Sequence, residues 1–445
     1  MAETKGSTPI STRLEQIANL AEKFADSPLT TLAHHIDIEW LREAHRRTRK
    51  DGARGIDGQS ADEYAADLEG NLGRLLERAK SGSYRAPPVR RTYIPKGNGE
   101  RRPLGIPTFE DKVLQRAVAM VLEPIYEREF LDGSYGFRPG RSAHQALDAL
   151  HQQSTVMAGG WVIEVDIRKY FDTIDHRQLQ EVLRQRIRDG VITRLVGKWL
   201  NAGVMEDGAL HHSDAGTPQG GVISPLLANI YLHTVLDVWF VREVLPRLRG
   251  RAFLTRYADD AVMLFEYEED ARRVMDVLPK RFERYGLALH PDKTRLVPFK
   301  RPDRSGRSDG PGGGSAVGSF DFLGFTVHWS KSLQGKWVVK TRTAKDRFRR
   351  ALVNIERWCK LQRHAPLLEQ QQKLNAKLRG HYGYYRRRGN ADRLWQLLRV
   401  VTCAWRKWLN RRSQRNRITW PTMTRLLQRY PLATPALGRH RVANP

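Results

Sequence analysis

Cysteine is almost absent from this chain, since Cys359 and Cys403 are the two cysteines among its 445 residues. Two cysteines provide neither a disulfide framework nor a zinc cluster, and such scarcity is typical of proteins that fold in a reducing compartment. No apolar run reaches the length of a membrane-spanning helix, and the N-terminus lacks the apolar core of a signal peptide. We therefore expect a soluble intracellular protein with no membrane partner.

Acidic residues are also under-represented, with 49 Asp and Glu against 76 Lys and Arg, which gives a formal net charge of +27. The excess is concentrated in residues 341–445, which contain 26 Lys and Arg but four Asp and Glu. Five tryptophans in the same range predict a folded basic domain rather than a disordered tail: Trp358, Trp395, Trp405, Trp408 and Trp420. This asymmetry favours a nucleic acid partner over a merely solvated charged face or a membrane-surface patch.

Two adjacent aspartates lie between apolar runs in the segment FLTRYADDAVMLF at 253–265. The runs on either side have the length and composition of β-strands, so the pattern predicts a hairpin with Asp259 and Asp260 at its turn. Neighbouring carboxylates need a compensating positive charge, and hard oxygen ligands suit Mg²⁺. The alternative is a solvated Asp-Asp turn with no ligand.

A third carboxylate, Asp166, follows the apolar run WVIEV at 161–165. Alone, an aspartate in this position caps a helix or turn. In a mixed sheet, however, a strand that ends at Asp166 beside the aspartate hairpin would gather carboxylates around a pair of metal ions. Two such ions can activate an attacking 3′-oxygen and stabilise a leaving pyrophosphate, which is the chemistry of a polymerase.

The remaining pattern predicts helices and strands in alternating blocks. Residues 1–80 are helical in pattern, 84–106 contain a basic hairpin, a helix spans about 225–245, and 345–410 are helical with basic faces. The C-terminal tail is expected to be coil punctuated by proline. The stretch at 302–318, rich in Gly, Ser and Pro, predicts a flexible surface loop.

The motif Tyr257-Ala258-Asp259-Asp260 matches the YxDD signature of reverse transcriptases. Other blocks, in the same order, resemble group II intron-encoded reverse transcriptase–maturases over about residues 28–435. These blocks are KDGARGIDG (50–58), IPKGNGERRPLGIPTFEDKVLQ (94–115), GSYGFRPGRSAHQAL (133–147), DIRKYFDTIDH (166–176), GTPQGGVISPLLANIYLH (216–233), RYADD (256–260), HPDKT (290–294) and FDFLGF (320–325).

The resemblance implies an α+β fold of the right-hand polymerase type, with fingers, a palm that contains an antiparallel sheet, an α-helical thumb and a short basic C-terminal segment. The expected domains are an N-terminal extension with the start of the fingers (1–80), fingers and palm (81–330), a thumb or maturase (X) domain (335–400) and a basic DNA-binding tail (401–445). Many members carry a C-terminal HNH endonuclease with paired cysteines, which this sequence does not show. Priming from an existing nick or a replication-fork 3′ end is therefore expected.

The resemblance also assigns a role to each candidate site residue. Asp166 and Asp259 would be the main ligands of two Mg²⁺ ions, for which Mn²⁺ is a possible substitute, with Asp260 as a supporting carboxylate. The incoming nucleotide would meet Lys96 and Arg102 at its phosphates, Phe171 at its sugar and Gln219 in its pocket. The primer would be supported by Leu323 and Gly324, and RNA would contact Arg379, Tyr382, Tyr385, Arg386, Arg387 and Arg388.

Each of these roles has a simpler alternative when the residue is considered alone. The cations of the basic hairpin could be solvated, Phe171 could be a core ring, Gln219 a polar loop residue, and the arginines could line a solvated helix face. Lys293 in HPDKT matches a lysine of the family, and its role is left open.

The implied function is RNA-directed DNA synthesis on a group II intron RNA, which serves as template and as splicing ligand during retrohoming. Further partners are a DNA target or primer and dNTPs, and the protein is expected to be a monomer or homodimer in the bacterial cytoplasm, associated with the nucleoid when bound to DNA. Two alternatives stay open. One is a splicing maturase whose polymerase activity is incidental, and the other is a domesticated reverse transcriptase used in defence, CRISPR adaptation or repair.

Overall fold

The computed structural model describes most of the chain, namely residues 9–95, 101–206, 209–211, 220–302, 318–413 and 417–435. The chain forms two compact units, of which the first contains residues 1–150 and 163–296 and the second residues 151–162 and 297–445. The second unit therefore begins before the predicted thumb boundary at 335. Most of the insertion predicted at 302–318 lies outside the described residues.

The helices of the first unit follow the predicted helical blocks. They are α1 (Ile10–Lys23), α2 (Ile38–Arg47), α3 (Ala61–Ala65), α4 (Leu68–Ser81), α5 (Phe109–Tyr126), α6 (Ala143–Val156, whose last residues belong to the second unit), α7 (Tyr170–Thr173), α8 (His176–Arg186), α9 (Gly190–Leu200), α10 (Ser224–Leu232) and α11 (Glu268–Glu283). A short 3₁₀ helix at Ala33–His35 precedes α2.

The strands over 89–298 form two four-stranded sheets. They are β1 (Val89–Pro95), β2 (Arg101–Ile106), β3 (Trp161–Val165), β4 (Val204–Glu206), β5 (Ala209–His211), β6 (Ala252–Tyr257), β7 (Asp260–Phe265) and β8 (Arg295–Pro298). One sheet has the order β2-β1-β4-β5, and the other has the order β6-β7-β3-β8. The antiparallel pairing of β1 with β2 confirms the predicted basic hairpin.

Helix α5 is the central helix of the first unit. Its sequence, FEDKVLQRAVAMVLEPIY, is apolar on nearly every face, and a helix of this kind is stable only when other elements surround it. Its N-terminus is capped by the Thr108 side chain, which accepts a hydrogen bond from the Asp111 N–H. The Trp40 indole of α2 donates to the Ala117 carbonyl at 2.9 Å, so the two helices are joined by a buried hydrogen bond as well as by packing.

The helix predicted over about 225–245 is not one regular helix. Helix α10 ends at Leu232 and is followed by π-helical segments at His233–Val238 and Phe240–Val244, then by a 3₁₀ turn at Leu245–Arg247. Each π turn contains an extra residue, which rotates the side chains that follow relative to a regular helix. The spacing of apolar residues does not reveal this rotation, because most residues of the segment are buried and apolar residues therefore occur on all of its faces.

The second unit combines a small sheet with four described helices. Its elements are β9 (Ser319–Phe322), β10 (Phe325–Lys331), β11 (Trp337–Thr343), α12 (Lys345–Leu361), α13 (Leu367–Tyr385), α14 (Ala391–Leu409) and α15 (Trp420–Arg429). The sheet is antiparallel with the order β11-β10-β9. Helices α12 to α14 confirm the helical pattern predicted over 345–410.

One hydrophobic core joins the helices of the second unit. It contains residues of all four described helices and of the segment after α15, including Ile355, Leu378, Trp405, Met423 and Leu432. The predicted boundary between a thumb at 335–400 and a tail at 401–445 falls inside α14, and core residues lie on both sides of it. The tail was also expected to be coil, whereas 420–429 are helical.

Helices and mainly antiparallel sheets make up both units, consistent with the predicted α+β class. None of the helices in the described part of the chain is both long and apolar enough to cross a membrane.

Substitution of two tryptophans of α14 tests whether 401–435 belongs to the core. Trp405 is fully buried and donates its indole N–H to Gln370 Oε1 at 2.8 Å, whereas Trp395 is 47% exposed. We expect Trp405→Ala to lower the free energy of unfolding by about 3–5 kcal/mol, and Trp395→Ala, on the same helix, by less than about 0.5 kcal/mol. Urea denaturation measures both, and equal losses would contradict a shared core.

Candidate active site

The aspartate motif forms the predicted hairpin, with its turn one residue earlier than expected. Strands β6 and β7 pair antiparallel with Tyr257 opposite Asp260, so Ala258 and Asp259 form a two-residue turn and Asp260 begins β7. Ala258 has a φ of 56°, in the left-handed region that a residue with a Cβ rarely adopts. Asp259 is therefore part of the turn itself, while Asp260 is an exposed strand residue.

Beneath this turn, a buried guanidinium fixes the backbone. Arg256 has no exposed surface, and its Nε and Nη2 donate to the two carboxylate oxygens of Asp237 at 2.7 and 2.5 Å. Its Nη1 donates to Asn229 Oδ1 at 3.0 Å and to the Ala258 carbonyl at 2.9 Å, and Nη2 also donates to Ser134 Oγ at 2.7 Å. All five N–H donors of the guanidinium are thus satisfied.

The block GSYGF at 133–137 packs its backbone directly against the hairpin. The Arg256 N–H donates to the Gly133 carbonyl at 2.7 Å. A Cβ placed on Gly136 would lie 2.2 Å from the Ala258 nitrogen, a distance that no side chain tolerates. Glycine is required here because two backbones meet without room for a side chain.

Asp166 directly follows β3, the neighbour of β7 in the sheet. The block HPDKT folds around it. The His290 N–H donates to the Asp166 carbonyl at 2.8 Å, and the Thr294 hydroxyl lies 3.3 Å from the same oxygen. The Lys293 ammonium donates to Asp166 Oδ2 at 3.2 Å. The structure thus places Lys293, whose role the sequence left open, as a positive partner of this carboxylate.

The carboxylate of Asp259 lies within reach of the negative charge of Asp166. Burial raises the pKa of Asp259, and the negative charge of Asp166 raises it further. A hydrogen bond from the backbone and the positive charges of Arg102 and Arg256 oppose the rise. The site therefore favours a cation, because added positive charge would relieve both the burial cost and the repulsion. Arg102, in β2, is the predicted phosphate ligand whose charge reaches this site.

These residues fit a magnesium site. Within the described ranges, no group of three or more His, Cys, Asp or Glu side chains is arranged to hold a metal by itself. Mg²⁺, however, keeps several waters and is usually bound by one or two carboxylates together with substrate phosphates. A partly buried carboxylate on a turn held by Arg256, influenced by a second carboxylate at a strand end, matches that requirement.

Phe171 lies on the short helix α7, five residues after Asp166. Its neighbour Tyr170 is buried, and the Tyr170 hydroxyl donates to the Ala228 carbonyl at 2.6 Å. The Phe171 ring packs edge-on against Tyr170, with centroids 5.3 Å apart, and stays partly exposed. The exposed part of the ring could contact a substrate.

Two other predicted nucleotide contacts, Lys96 and Gln219, lie outside the described residues.

In the second unit, Leu323 and Gly324 form the tight turn between β9 and β10, with φ values of 50° and 78°. The Tyr384 hydroxyl donates to the Leu323 carbonyl at 2.9 Å, and the Ala344 N–H donates to the Gly324 carbonyl at 3.0 Å. A Cβ on Gly324 would lie 3.1 Å from the Tyr385 hydroxyl oxygen. The predicted primer-supporting turn is therefore held by side chain and backbone groups of its own unit.

The predicted RNA contacts separate into buried and exposed residues. Tyr382 is 6% exposed and belongs to the core, so its ring offers little surface for the RNA contact that the resemblance implies. Leu374, Leu378 and Tyr382 follow one another at intervals of four residues, a spacing that puts them on one helix face and could have revealed this from the sequence. Tyr385 is half-buried, with its ring centroid 5.1 Å from that of Phe325. Side chains at or near the surface are those of Arg379, Arg386, Arg387 and Arg388.

Several known proteins are similar to this chain in sequence. The family described as "Reverse transcriptase (RNA-dependent DNA polymerase)" matches residues 94–327, just over half of the chain. The chain is 38% identical over 297 residues to Protein YkfC of Escherichia coli (strain K12), covering 58% of this chain and 76% of that protein. It is 36% identical over 285 residues to the group II intron-encoded protein LtrA of Lactococcus lactis subsp. cremoris, covering 60% of this chain and 46% of LtrA.

Another match is a protein in the cob intron of Schizosaccharomyces pombe, 39% identical over 179 residues, which are 40% of this chain and 22% of that protein. The chain thus spans less than half the length of the two intron proteins. The matches nevertheless confirm the resemblance to group II intron-encoded proteins that the sequence blocks predicted.

Replacing Arg256 tests the network beneath the hairpin. We expect Arg256→Lys to lower the free energy of unfolding by about 3 kcal/mol or more, because an ammonium cannot satisfy both carboxylate oxygens of Asp237 and the three other acceptors. Arg251→Lys, just before β6 at an exposed pair with Glu266, is the control and should have no measurable effect. Denaturant unfolding compares the two, and equal stabilities would rule out a structural role for the buried guanidinium.

Proposed function

Because the chain belongs to the reverse transcriptase (RNA-dependent DNA polymerase) family, we propose that it is a Mg²⁺-dependent enzyme that copies RNA into DNA. The observation that carries this proposal is that Asp166 directly follows β3 and Asp259 directly precedes β7, the neighbouring strand of the same sheet, although the two carboxylates are far apart in the sequence. A solvated turn would not need a partly buried aspartate on a turn held by Arg256 and a second aspartate held by three residues of HPDKT.

In this proposal, Asp166 and Asp259 hold two Mg²⁺ ions, or Mn²⁺ as a substitute, with Asp260 as a supporting carboxylate. The bound ions would supply activation of the primer 3′-oxygen and charge stabilisation on the leaving pyrophosphate. Lys293, paired with Asp166 Oδ2 here, keeps that carboxylate oriented and balances its charge. Arg256 holds the turn that presents Asp259.

Substrate positioning is assigned to residues around these carboxylates and in the second unit. Arg102 would contact the nucleotide phosphates together with Lys96, because fixed cations stabilise charge on a transferring phosphoryl group. The partly exposed ring of Phe171 would lie against the sugar and exclude a 2′-hydroxyl, and Gln219 would line the pocket. The backbone of Leu323 and Gly324 would support the primer end.

We further propose that the chain binds a group II intron RNA, assists its splicing and copies it during retrohoming. Two observations favour this second function. LtrA, to which the chain is similar, is named as a group II intron-encoded protein. The second unit also exposes arginines at the end of α13, where Arg379, Arg386 and Arg388 are exposed side chains suited to phosphate contacts.

Removal of one carboxylate tests the polymerase assignment. We expect Asp259→Asn to reduce cDNA synthesis on a primed RNA template at least about a hundredfold, because the variant loses a charge at the reacting centre. Asp132→Asn makes the same change at a residue whose side chain is 98% exposed, and it should retain activity.

Measuring intron RNA binding and splicing with the Asp259→Asn variant separates the proposed polymerase function from the proposed splicing function. Preserved binding and splicing with lost cDNA synthesis means that they use different surfaces. Undiminished cDNA synthesis would refute the role of Asp259.

A cluster of charge changes tests RNA binding by the second unit. We expect simultaneous change of Arg379, Arg386, Arg387 and Arg388 to Gln to weaken intron RNA binding and to reduce its salt dependence. The slope of log K against log salt should fall by about 0.7 for each phosphate that the variant no longer neutralises. A matched control changes four arginines whose charges are balanced by nearby carboxylates: Arg249, Arg251, Arg272 and Arg273. Equal slopes for the two variants would exclude a specific interaction.

A further inference from the structure

A buried carboxylate in the first turn of α5 takes no part in the metal site. Asp111 is 2% exposed and accepts hydrogen bonds from three uncharged donors. Its Oδ1 accepts from the Tyr84 hydroxyl and from the Trp199 indole at 2.6 Å, and its Oδ2 accepts from Gln115 Nε2 at 3.0 Å. Burial raises the pKa of Asp111 to about 6, while the hydrogen bonds from Tyr84, Trp199 and Gln115 oppose the rise.

Gln115, one helical turn later, connects Asp111 to a different part of the chain. Its side chain amide donates to Asp111 through Nε2, while Oε1 accepts from the Val222 N–H at 2.8 Å and from the Ile223 N–H at 3.4 Å. An amide has one donating end and one accepting end. Asp111 therefore determines that the accepting end of Gln115 faces the backbone of Val222.

The anchored backbone lies at the end of the block GTPQGGVISP, which contains the predicted nucleotide-pocket residue Gln219. Two residues before Val222, Gly220 has a φ of 120°, and a Cβ there would lie 2.6 Å from the Gly105 carbonyl oxygen. Gly105 belongs to β2, the strand that carries Arg102. The hydrogen bonds from Val222 and Ile223 thus hold this part of the block where it meets the strand of the predicted phosphate ligand.

We propose that Asp111 and Gln115 are positioning residues for nucleotide binding: Asp111 sets the orientation of the Gln115 amide, and Gln115 holds the Val222–Ile223 backbone that shapes the dNTP pocket. The inference deepens the proposed polymerase function and rests on it. Neither side chain touches the substrate. Their effect is exerted through the backbone that they hold, so it appears in the KM for dNTP more than in kcat.

Exchanging the carboxylate at position 111 with the amide at position 115 tests whether the two side chains act as a pair. In Asp111→Asn, an NH₂ group replaces Oδ2 and faces Gln115 Nε2, so the Gln115 amide must turn its donating end toward the Val222 N–H. In Gln115→Glu, two carboxylates face each other. In the double variant, the new amide at position 111 donates to the new carboxylate at position 115, whose other oxygen still accepts from Val222. Each donor then faces an acceptor again, with the direction of the hydrogen bond between positions 111 and 115 reversed, and the net charge is unchanged.

We expect each single variant to raise the KM for dNTP about tenfold, the equivalent of about 1.4 kcal/mol, on an RNA template with a DNA primer. The double variant should return the KM to within about twofold of the unaltered protein. The control, Gln370→Glu, changes a glutamine of the second unit that is 1% exposed and accepts from Trp405. It should lower the Tm while the KM for dNTP stays the same.

Two results would overturn the inference while leaving the proposed polymerase intact. One is an unchanged KM in both single variants despite a lower Tm, which would make the network purely structural. The other is a raised KM in the double variant, which would mean that hydrogen-bond complementarity is not what matters. Failure of the unaltered protein to incorporate dNTP would instead overturn the proposed function and this inference together.

Discussion

The geometry of the candidate site depends on the buried ion pair between Arg256 and Asp237. A guanidinium removed from water is tolerated only when its partners replace all of its hydrogen bonds, and breaking such a pair leaves a costly uncompensated charge. Here the partners come from the π-helical segment after α10, from α10 itself, from the 133–137 loop and from the hairpin turn. One side chain therefore fixes α10 with its π-helical continuation and the 133–137 loop with respect to the turn that contains Asp259.

The local parts of this arrangement could be predicted from the sequence. The aspartate hairpin is a short-range feature, because strand alternation and a two-residue turn are encoded within a dozen residues. Asp166 was identified for the same reason, as a carboxylate directly after an apolar strand. Arg256 was not, since a charged residue in an alternating strand looks like a solvent-facing one. Its burial is decided by Asp237, which lies in a helix irregularity that apolar periodicity does not reveal.

The spacing of aromatic residues along a helix predicts their burial better than the composition of the segment does. The mixture of arginine and tyrosine at 379–388 suggested a surface for RNA, yet the helix turns Tyr382 into the core. The family resemblance separates the tail beyond 400 from the thumb, although Trp405 and Met423 supply part of the same core. By contrast, Asp111 and Gln115 do carry a signal in the sequence: two polar residues four apart lie on one face of a largely apolar helix, where they need each other or a nearby backbone.

The turn at Ala258 has a consequence for the entropy of ligand binding. Glycine would adopt its positive φ with less strain, but it would also give the turn many accessible conformations when no ligand is present. Alanine restricts the chain, and the hydrogen bond from Arg256 to its carbonyl selects one of the few remaining conformations. A carboxylate that is already fixed loses little further freedom when a ligand arrives, so the interaction energy appears as affinity instead of being spent on ordering the loop.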